Sequence, residues 1–238
     1  MPSASPKTPR VLVTRPQPEA GELARLLQNK GLEPVVAPLF RIVPEEHGEL
    51  PEASALLLTS PRAARFLPQG AKALPAYVVG TATAEAAAAE GLKVVATGSG
   101  EADERLVELL PPQSTVLHLT GEDVARDLGP AFKGRGMFYH RVVIYRAEAE
   151  TSLPEKAKSF LRAEGEKLVT LLSVRAAEVF AQLVADAGLN DAASGLDAAC
   201  FGPRIAAAAR ASLPYRSVRQ TEPGNLTQFV DSLSSGGT

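Results

Sequence analysis

Short apolar bursts alternate with stretches of helical periodicity along the whole chain. Residues 56–67, LLLTSPRAARFL, show the unit most clearly. An apolar run reaches Thr59, Ser60 and Pro61, then turns into a helical pattern carried by Ala63, Ala64, Phe66 and Leu67. A run of this kind feeding a helix is the pattern of a buried parallel strand and its crossover helix. Ser60 stands where an N-cap belongs, and Pro61 at the first helical position, where a missing N–H costs little.

The same unit recurs before and after it. Val11 to Thr14 reads as a strand, followed by a helix bearing Leu23, Leu26 and Leu27 that closes at Gly31, and then by a strand over Glu33 to Ala37. Pro38 interrupts the run, and Leu39 to Val43 is a second extended piece. Beyond the central unit, strands are expected at Ala76 to Val79, Val94 to Ala96 and Val116 to Leu119. Their helices carry the Ala-rich stretch before Gly91, then Leu106, Val107 and Leu110, then Val124, Leu128 and Phe132. Met137 to Tyr139 and Arg141 to Arg146 are two further extended pieces. A polar helix around Leu153 to Glu164 precedes strands at Leu168 to Leu172, Ala198 to Phe201 and Tyr215 to Arg219. Ser173 opens a helix with Val179, Phe180, Leu183 and Val184, Gly202-Pro203 opens an Ala-rich one, and TEPGN opens the last, with Leu226, Phe229, Val230 and Leu233.

These units repeat. LLLTSPRAARF echoes TLLSVRAAEVF, YVVGTATAEAAA echoes ACFGPRIAAAAR, and ATGSGEADERLVELL echoes RQTEPGNLTQFVDSL. VLHLTGEDVARDL instead echoes the opening VLVTRPQPEAGELARLL. The simplest arrangement is two similar α/β domains with the chain passing between them twice. One, discontinuous, joins residues 1–37 to 149–238, and the other spans 44–140. Residues 38–43 and 141–148 form a two-stranded linker. A single continuous doubly wound sheet is the alternative.

Composition narrows the partners. Of 238 residues, 45% are hydrophobic and 22% charged, the balance of a globular protein long enough for one large or two ordinary domains. The net charge of −2 supplies no basic field for nucleic acid. A lone cysteine, Cys200, excludes an internal disulfide and fits a reducing compartment; it reads as core packing. No apolar run is long enough for a membrane span, and MPSASPKTPR lacks the apolar core of a signal peptide. A cytoplasmic protein with a short disordered lead-in and a frayed tail from Ser234 is expected, with no membrane or nucleic-acid partner.

Familiar catalytic motifs are missing. There is no GxxxxGK[ST], HExxH, paired CxxC or GxSxG. GSGEAD at 98–103 starts like a dinucleotide fingerprint, but Asp103 replaces the third glycine, so it reads as a polar turn before a helix. His118, inside an apolar strand, reads as a satisfied core residue, and Glu45-Glu46 as a solvated pair. What remains is a set of strand-end loops rich in hydroxyls and glycines. They are Thr14-Arg15, Thr59-Ser60-Pro61-Arg62, Gly80-Thr81-Ala82-Thr83, Thr120-Gly121, Ser173-Val174-Arg175, Gly202-Pro203 and Thr221 to Asn225. Each alone is ordinary N-capping. Together, on matching edges of two sheets, they suit a carboxylate-rich ligand held by backbone N–H groups and small hydroxyls.

The order VTRP (13–16), LLTSPRA (57–63), VVGTATA (78–84), TG (120–121), VVIYRA (142–147), LLSVRAA (171–177) and FGP (201–203) resembles the uroporphyrinogen-III synthase family over nearly the whole chain after Lys7. The resemblance implies two α/β domains, with parallel flavodoxin-like sheets, joined by a two-stranded β linker. It implies that hydroxymethylbilane, a linear tetrapyrrole with eight carboxylates, is cyclised to uroporphyrinogen III in haem biosynthesis, with loss of water, inversion of ring D and a spiro intermediate. No metal or organic cofactor is implied. A monomer receiving its substrate by transient hand-over from hydroxymethylbilane synthase is expected.

Tyr145 stands at the position of the tyrosine proposed in the family to help the hydroxyl leave; it either does so or packs the linker. Thr59, Ser60, Arg62, Thr83 and Ser173 match family positions lining the cleft, where they bind acetate or propionate groups, cap helices, or do both. Two departures stand out: Val174 replaces the usual proline after Ser173, and Arg204-Ile205 follow Gly202-Pro203 where hydroxyl residues are usual. Arg204 offers a cation for carboxylates in their place. The rival from another class is a non-catalytic two-lobed protein that closes on a small polycarboxylate. A phosphoacceptor receiver is disfavoured, because no acidic cluster stands at the strand ends to hold magnesium.

Overall fold

The computed structural model describes residues 9–124, 126–221 and 225–234. Residues 1–8 and 235–238, with the expected lead-in and most of the expected frayed tail, lie outside the described residues. So do residue 125 and residues 222–224 of the TEPGN loop. The chain divides into two compact units, one formed by its two ends up to Arg41 and from Glu148 onward, the other by Ile42–Ala147.

In the first unit β1 (Arg10–Val13), α1 (Glu19–Asn29) and β2 (Glu33–Val36) form the opening β-α-β, and β3 (Phe40–Pro44) leads away. The second unit holds β4 (Ala55–Leu58), α2 (Pro61–Ala64), β5 (Ala76–Val78), α3 (Thr81–Ala89), β6 (Val94–Thr97), α4 (Glu104–Glu108), β7 (Thr115–Gly121) and α5 (Gly129–Gly134). The chain leaves it through β8 (Phe138–Ala149). The first unit then resumes with α6 (Glu155–Arg162), β9 (Lys167–Leu171), α7 (Val174–Asp186), α8 (Asn190–Ala193), β10 (Asp197–Cys200), α9 (Pro203–Ser212), β11 (Ser217–Gln220) and α10 (Leu226–Ser234).

The sheet orders explain the sequence repeat. One sheet runs β11-β10-β9-β1-β2 and the other β6-β5-β4-β7-β8, with β3 added beyond β8. All the pairings of the first sheet and those from β6 to β8 are parallel. The echoing segments therefore occupy equivalent strands: β4 matches β9, β5 matches β10, β6 matches β11, and β7 matches β1. The addition of β3 is antiparallel in sense, because Glu45 N–H donates to Ile144 while Glu150 N–H donates to Leu39.

Alternation along the strands builds two cores in the second unit. Leu56, Leu58, Leu117, Leu119 and Val78 face one side with Ala63, Ala64 and Tyr145. Ala55, Leu57, Tyr77 and Val116 face the other with Leu106, Phe132 and Met137. In the first unit Val11 and Val13 pack under α1 and α10 through Leu23, Leu27, Phe229 and Val230. Strands buried on both faces read as continuous apolar runs, which is why β4 is ALLL.

Three of the expected elements take different bounds, and the one-turn α8 has no counterpart in the sequence reading. α2 is a single turn and stops before Phe66 and Leu67, because Pro68 disfavours helix in the residue ahead of it. The helix expected to carry Val124, Leu128 and Phe132 begins only at Gly129. Pro130 has no N–H for a helical bond back to Arg126 and its ring would meet that carbonyl. The extended pieces at 137–139 and 141–146 are one twelve-residue strand, since nothing at His140 interrupts the ladder with β7.

Candidate functional site

In the second unit the order reverses between β4 and β7: β4 leads outward to β5, and β7 leads the other way to β8. Such a switch point opens a crevice at the carboxyl ends of the two strands, where ligands bind in open α/β sheets. Thr59-Ser60 follows β4 there and Thr120-Gly121 ends β7.

Strand alternation sends the two hydroxyls of Thr59-Ser60 to different neighbours. Ser60 Oγ accepts from Arg62 N–H at 3.2 Å, capping α2, and receives the Tyr145 hydroxyl at 3.3 Å. Tyr145 is buried, stacks on Phe66 with ring centroids 5.5 Å apart, and carries the Arg62 guanidinium 5.8 Å from its ring centroid. Its ring lies against Gly121, where a Cβ would come within 2.6 Å of the phenol carbons. Sequence, phenol and cation are thus locked together: Ser60 and Arg62 come from the β4 turn, Gly121 from β7 and Tyr145 from β8.

On the other side Thr59 Oγ1 lies 2.8 Å from His118 Nε2, and His118 Nδ1 lies 2.7 Å from the Tyr139 hydroxyl. His118 is fully enclosed, and burial together with the nearby Arg141 pushes its pKa down to about 4, with Asp127 acting weakly in the opposite sense. The imidazole is therefore neutral. Burial, with Asp127 adding to it, raises the Tyr139 phenol to about 12. His118 is a satisfied core residue, but its partners include a strand-end hydroxyl.

Gly80 caps α3 without a side chain, and a Cβ there would lie 2.8 Å from the Gly100 backbone. Gly98 and Gly100 bond back to the carbonyls of Val78 and Val79. GSGEAD is a turn before α4, whose N-cap is Asp103; Gly98 lets the turn lie directly on the end of β5, where a Cβ would come 2.9 Å from the Val79 carbonyl oxygen, and Gly100 supplies a φ of +103°. Thr81 is exposed at the start of α3, while Thr83 and Thr120 are buried. Of the pair Glu45-Glu46, Glu46 is exposed as expected, while the partly exposed Glu45 carboxylate pairs with Arg146 on the adjacent β8.

The first unit shows the same plan with different details. The Thr14 hydroxyl is turned inward to the Thr170 carbonyl at 2.9 Å, while Thr170 Oγ1 donates to Leu12. Ser173 Oγ caps α7 by accepting from Ala176 N–H at 3.0 Å. Arg175 lies over the Phe40 ring at 5.2 Å. Gly202, at φ +112°, turns β10 into α9, with Pro203 at its first position and Arg204 exposed in its first turn. Arg15 is half-buried just after β1. Cys200 is buried and free, and its burial raises the thiol to about 11. Among the described residues no group of three or more His, Cys, Asp or Glu side chains is placed to hold a metal ion. No helix among them is long and apolar enough to cross a membrane.

A sequence model of uroporphyrinogen-III synthase HemD matches residues 21–220. The chain belongs to the uroporphyrinogen-III synthase family. Among solved structures it is similar to uroporphyrinogen-III synthetase of Helicobacter pylori, with a TM-score of 0.63 at 16% identity, over 95% of this chain and 99% of that one. It also aligns with uroporphyrinogen III synthase of Thermus thermophilus at 19% identity, over 95% and 98% of the two chains, with a TM-score of 0.43. At such identity the first likeness establishes the shared fold. No curated protein matches the chain significantly.

The residues that sequence reasoning missed are Phe66, Tyr139 and the glycine pair Gly98 and Gly100. Phe66 and Tyr139 carried no motif, and only the folded packing brings them to the strand ends. Gly98 and Gly100 stood in a visible glycine pattern, but what demands Gly98 is its close approach to the Val79 carbonyl in the fold, and what demands Gly100 is its φ of +103°.

Proposed function

We propose that this chain cyclises hydroxymethylbilane to uroporphyrinogen III and water, inverting ring D, as a carbon–oxygen lyase. The observation that carries the reading is the match to the family over residues 21–220. The packing of Tyr145 against Ser60, Arg62 and Gly121 supports it.

The Tyr145 O–H donates its proton to the terminal hydroxyl as the carbon–oxygen bond breaks. The pyrrole supplies the electron pair, and water and an azafulvenium-like cation result. The cation closes at the substituted carbon of ring D, and the spiro intermediate fragments and recloses to the inverted macrocycle. The proton lost on rearomatisation restores the phenol. Electron-rich pyrroles make the bonds themselves, so the protein's contribution is orientation, which can lower such a barrier by several kcal/mol.

Thr59, Ser60, Arg62, Thr81 and the backbone around Gly80 and Gly121 hold acetate and propionate groups at the strand ends of the second unit. Arg15, Ser173, Arg175, Gly202, Pro203 and Arg204 offer the same chemistry at those of the first. Thr14, Thr83 and Thr120 are buried and shape these ends rather than touch the ligand. The test is to incubate fresh hydroxymethylbilane with and without the protein and to separate the oxidised isomers. The type III isomer is expected in place of type I. Type I alone, from folded protein, overturns the proposal.

A further inference from the structure

The geometry points to His118 as a positioning residue that turns the Thr59 hydroxyl outward as a donor to a substrate carboxylate, with Tyr139 fixing the imidazole tautomer. This rests on the function proposed above and assigns a role to a buried relay that the cyclisation does not itself require.

A neutral imidazole has one N–H and one acceptor nitrogen. His118 spends both, on Thr59 at 2.8 Å and Tyr139 at 2.7 Å. The Tyr139 ring is itself held by stacking on Phe132, with centroids 4.7 Å apart. Among the described residues the Tyr139 hydroxyl hydrogen-bonds to His118 Nδ1 alone, so placing the phenol proton there satisfies the tyrosine's donor. The ring proton then resides on Nε2 and points at Thr59 Oγ1. Thr59 accepts it, and its own proton is released toward the mouth of the crevice beside Ser60. A carboxylate, which only accepts, is the natural partner of such a hydroxyl. The opposite tautomer would strand the tyrosine proton and turn the Thr59 proton inward.

Two measurements test this. The chain has three histidines, so nitrogen NMR of the ring can be assigned by substituting each in turn. The Nε2–H tautomer is expected for His118 in the wild type, with a shift toward Nδ1–H in Tyr139→Phe; Nδ1–H in the wild type overturns the proposal. In the isomer assay, His118→Leu and Thr59→Val are each expected to raise KM about tenfold, the scale of one hydrogen bond to a charged group, with kcat within about twofold. The double variant raises KM no further, because both changes remove one donor. His118→Gln, whose carboxamide N–H can replace Nε2–H, restores KM. Multiplying KM effects, or a normal KM in folded His118→Leu, overturns the relay while leaving the activity intact. Should His118→Leu fail to fold, Tyr139→Phe carries the same KM prediction. A wild type that makes no type III isomer defeats the parent reading instead, and the relay falls with it.

Discussion

Gly121 makes room for Tyr145. A Cβ there would sit 2.6 Å from the phenol carbons, nearer than any side chain tolerates, so the glycine and the tyrosine form one feature contributed by two strands. Replacing Tyr145 by Phe keeps the ring on Phe66 and removes only the hydroxyl next to Ser60. Turnover at saturating substrate is expected to fall about 10- to 100-fold, toward the lower range for losing a general acid, with the melting temperature nearly unchanged. Unaltered kcat would take Tyr145 out of the chemistry. Gly121→Ala forces the ring aside and is expected to cost about 1–3 kcal/mol of stability as well as activity. In a Tyr145→Ala background the same change should cost much less, and thermal melts of the four proteins measure that coupling. At this scale the sequence displayed Tyr145 and Gly121 separately, and nothing in their 24-residue separation revealed that they touch.

At the scale of the element, helix starts marked by a capping side chain were legible because their causes are local, whereas the start of α5, which has no side-chain cap, was not. Ser60, Asp103 and Ser173 cap the helices that follow them, and Asn225 forms a reciprocal pair with Gln228 at the start of α10. Ser173 separates capping from ligand contact. Ser173→Ala is expected to destabilise the protein by about 1 kcal/mol, and Ser173→Asp to restore the cap. If the residue also meets carboxylates, Ser173→Asp should raise KM although the melting temperature recovers; an unchanged KM would leave Ser173 with the cap alone. Helix extents were less legible. Pro68 and Pro130 shorten α2 and delay α5, and the apolar spacing of Phe66, Leu67 and Val124 gave no warning, because those residues suit a packed turn as well as a helix.

For the molecule as a whole, acidity tests both units. His118 is uncharged when folded and has its pKa held down to about 4, so the unfolded chain binds a proton there more readily. That stability is full above pH 6.5 and is lost as the pH falls from 6.5 toward 4, by roughly 3 kcal/mol in all. Denaturant midpoints across that range should slope in the wild type and flatten in His118→Gln; parallel curves would contradict the buried neutral ring. Asp197 acts at lower pH in the other unit. Its carboxyl is held below the usual range chiefly by the hydrogen bond from Arg216, with Ser217 and Arg219 assisting, so its contribution is present above about pH 4 and disappears on further acidification. By itself the sequence determined what depends on near neighbours along the chain: strand and helix order, caps, the repeat, and the hydroxyl-bearing turns. The tertiary structure alone decided the strand order. Two unlinked strands, β4 and β7, became neighbours and brought Thr59-Ser60 and Thr120-Gly121 side by side at one edge of the sheet. It also decided which face each residue joins, setting Thr59 on His118 and Ser60 on Tyr145. Hydrophobic burial rewards many strand pairings almost equally. The one adopted is chosen by side-chain packing across the sheet, and such packing has no trace in the local sequence pattern.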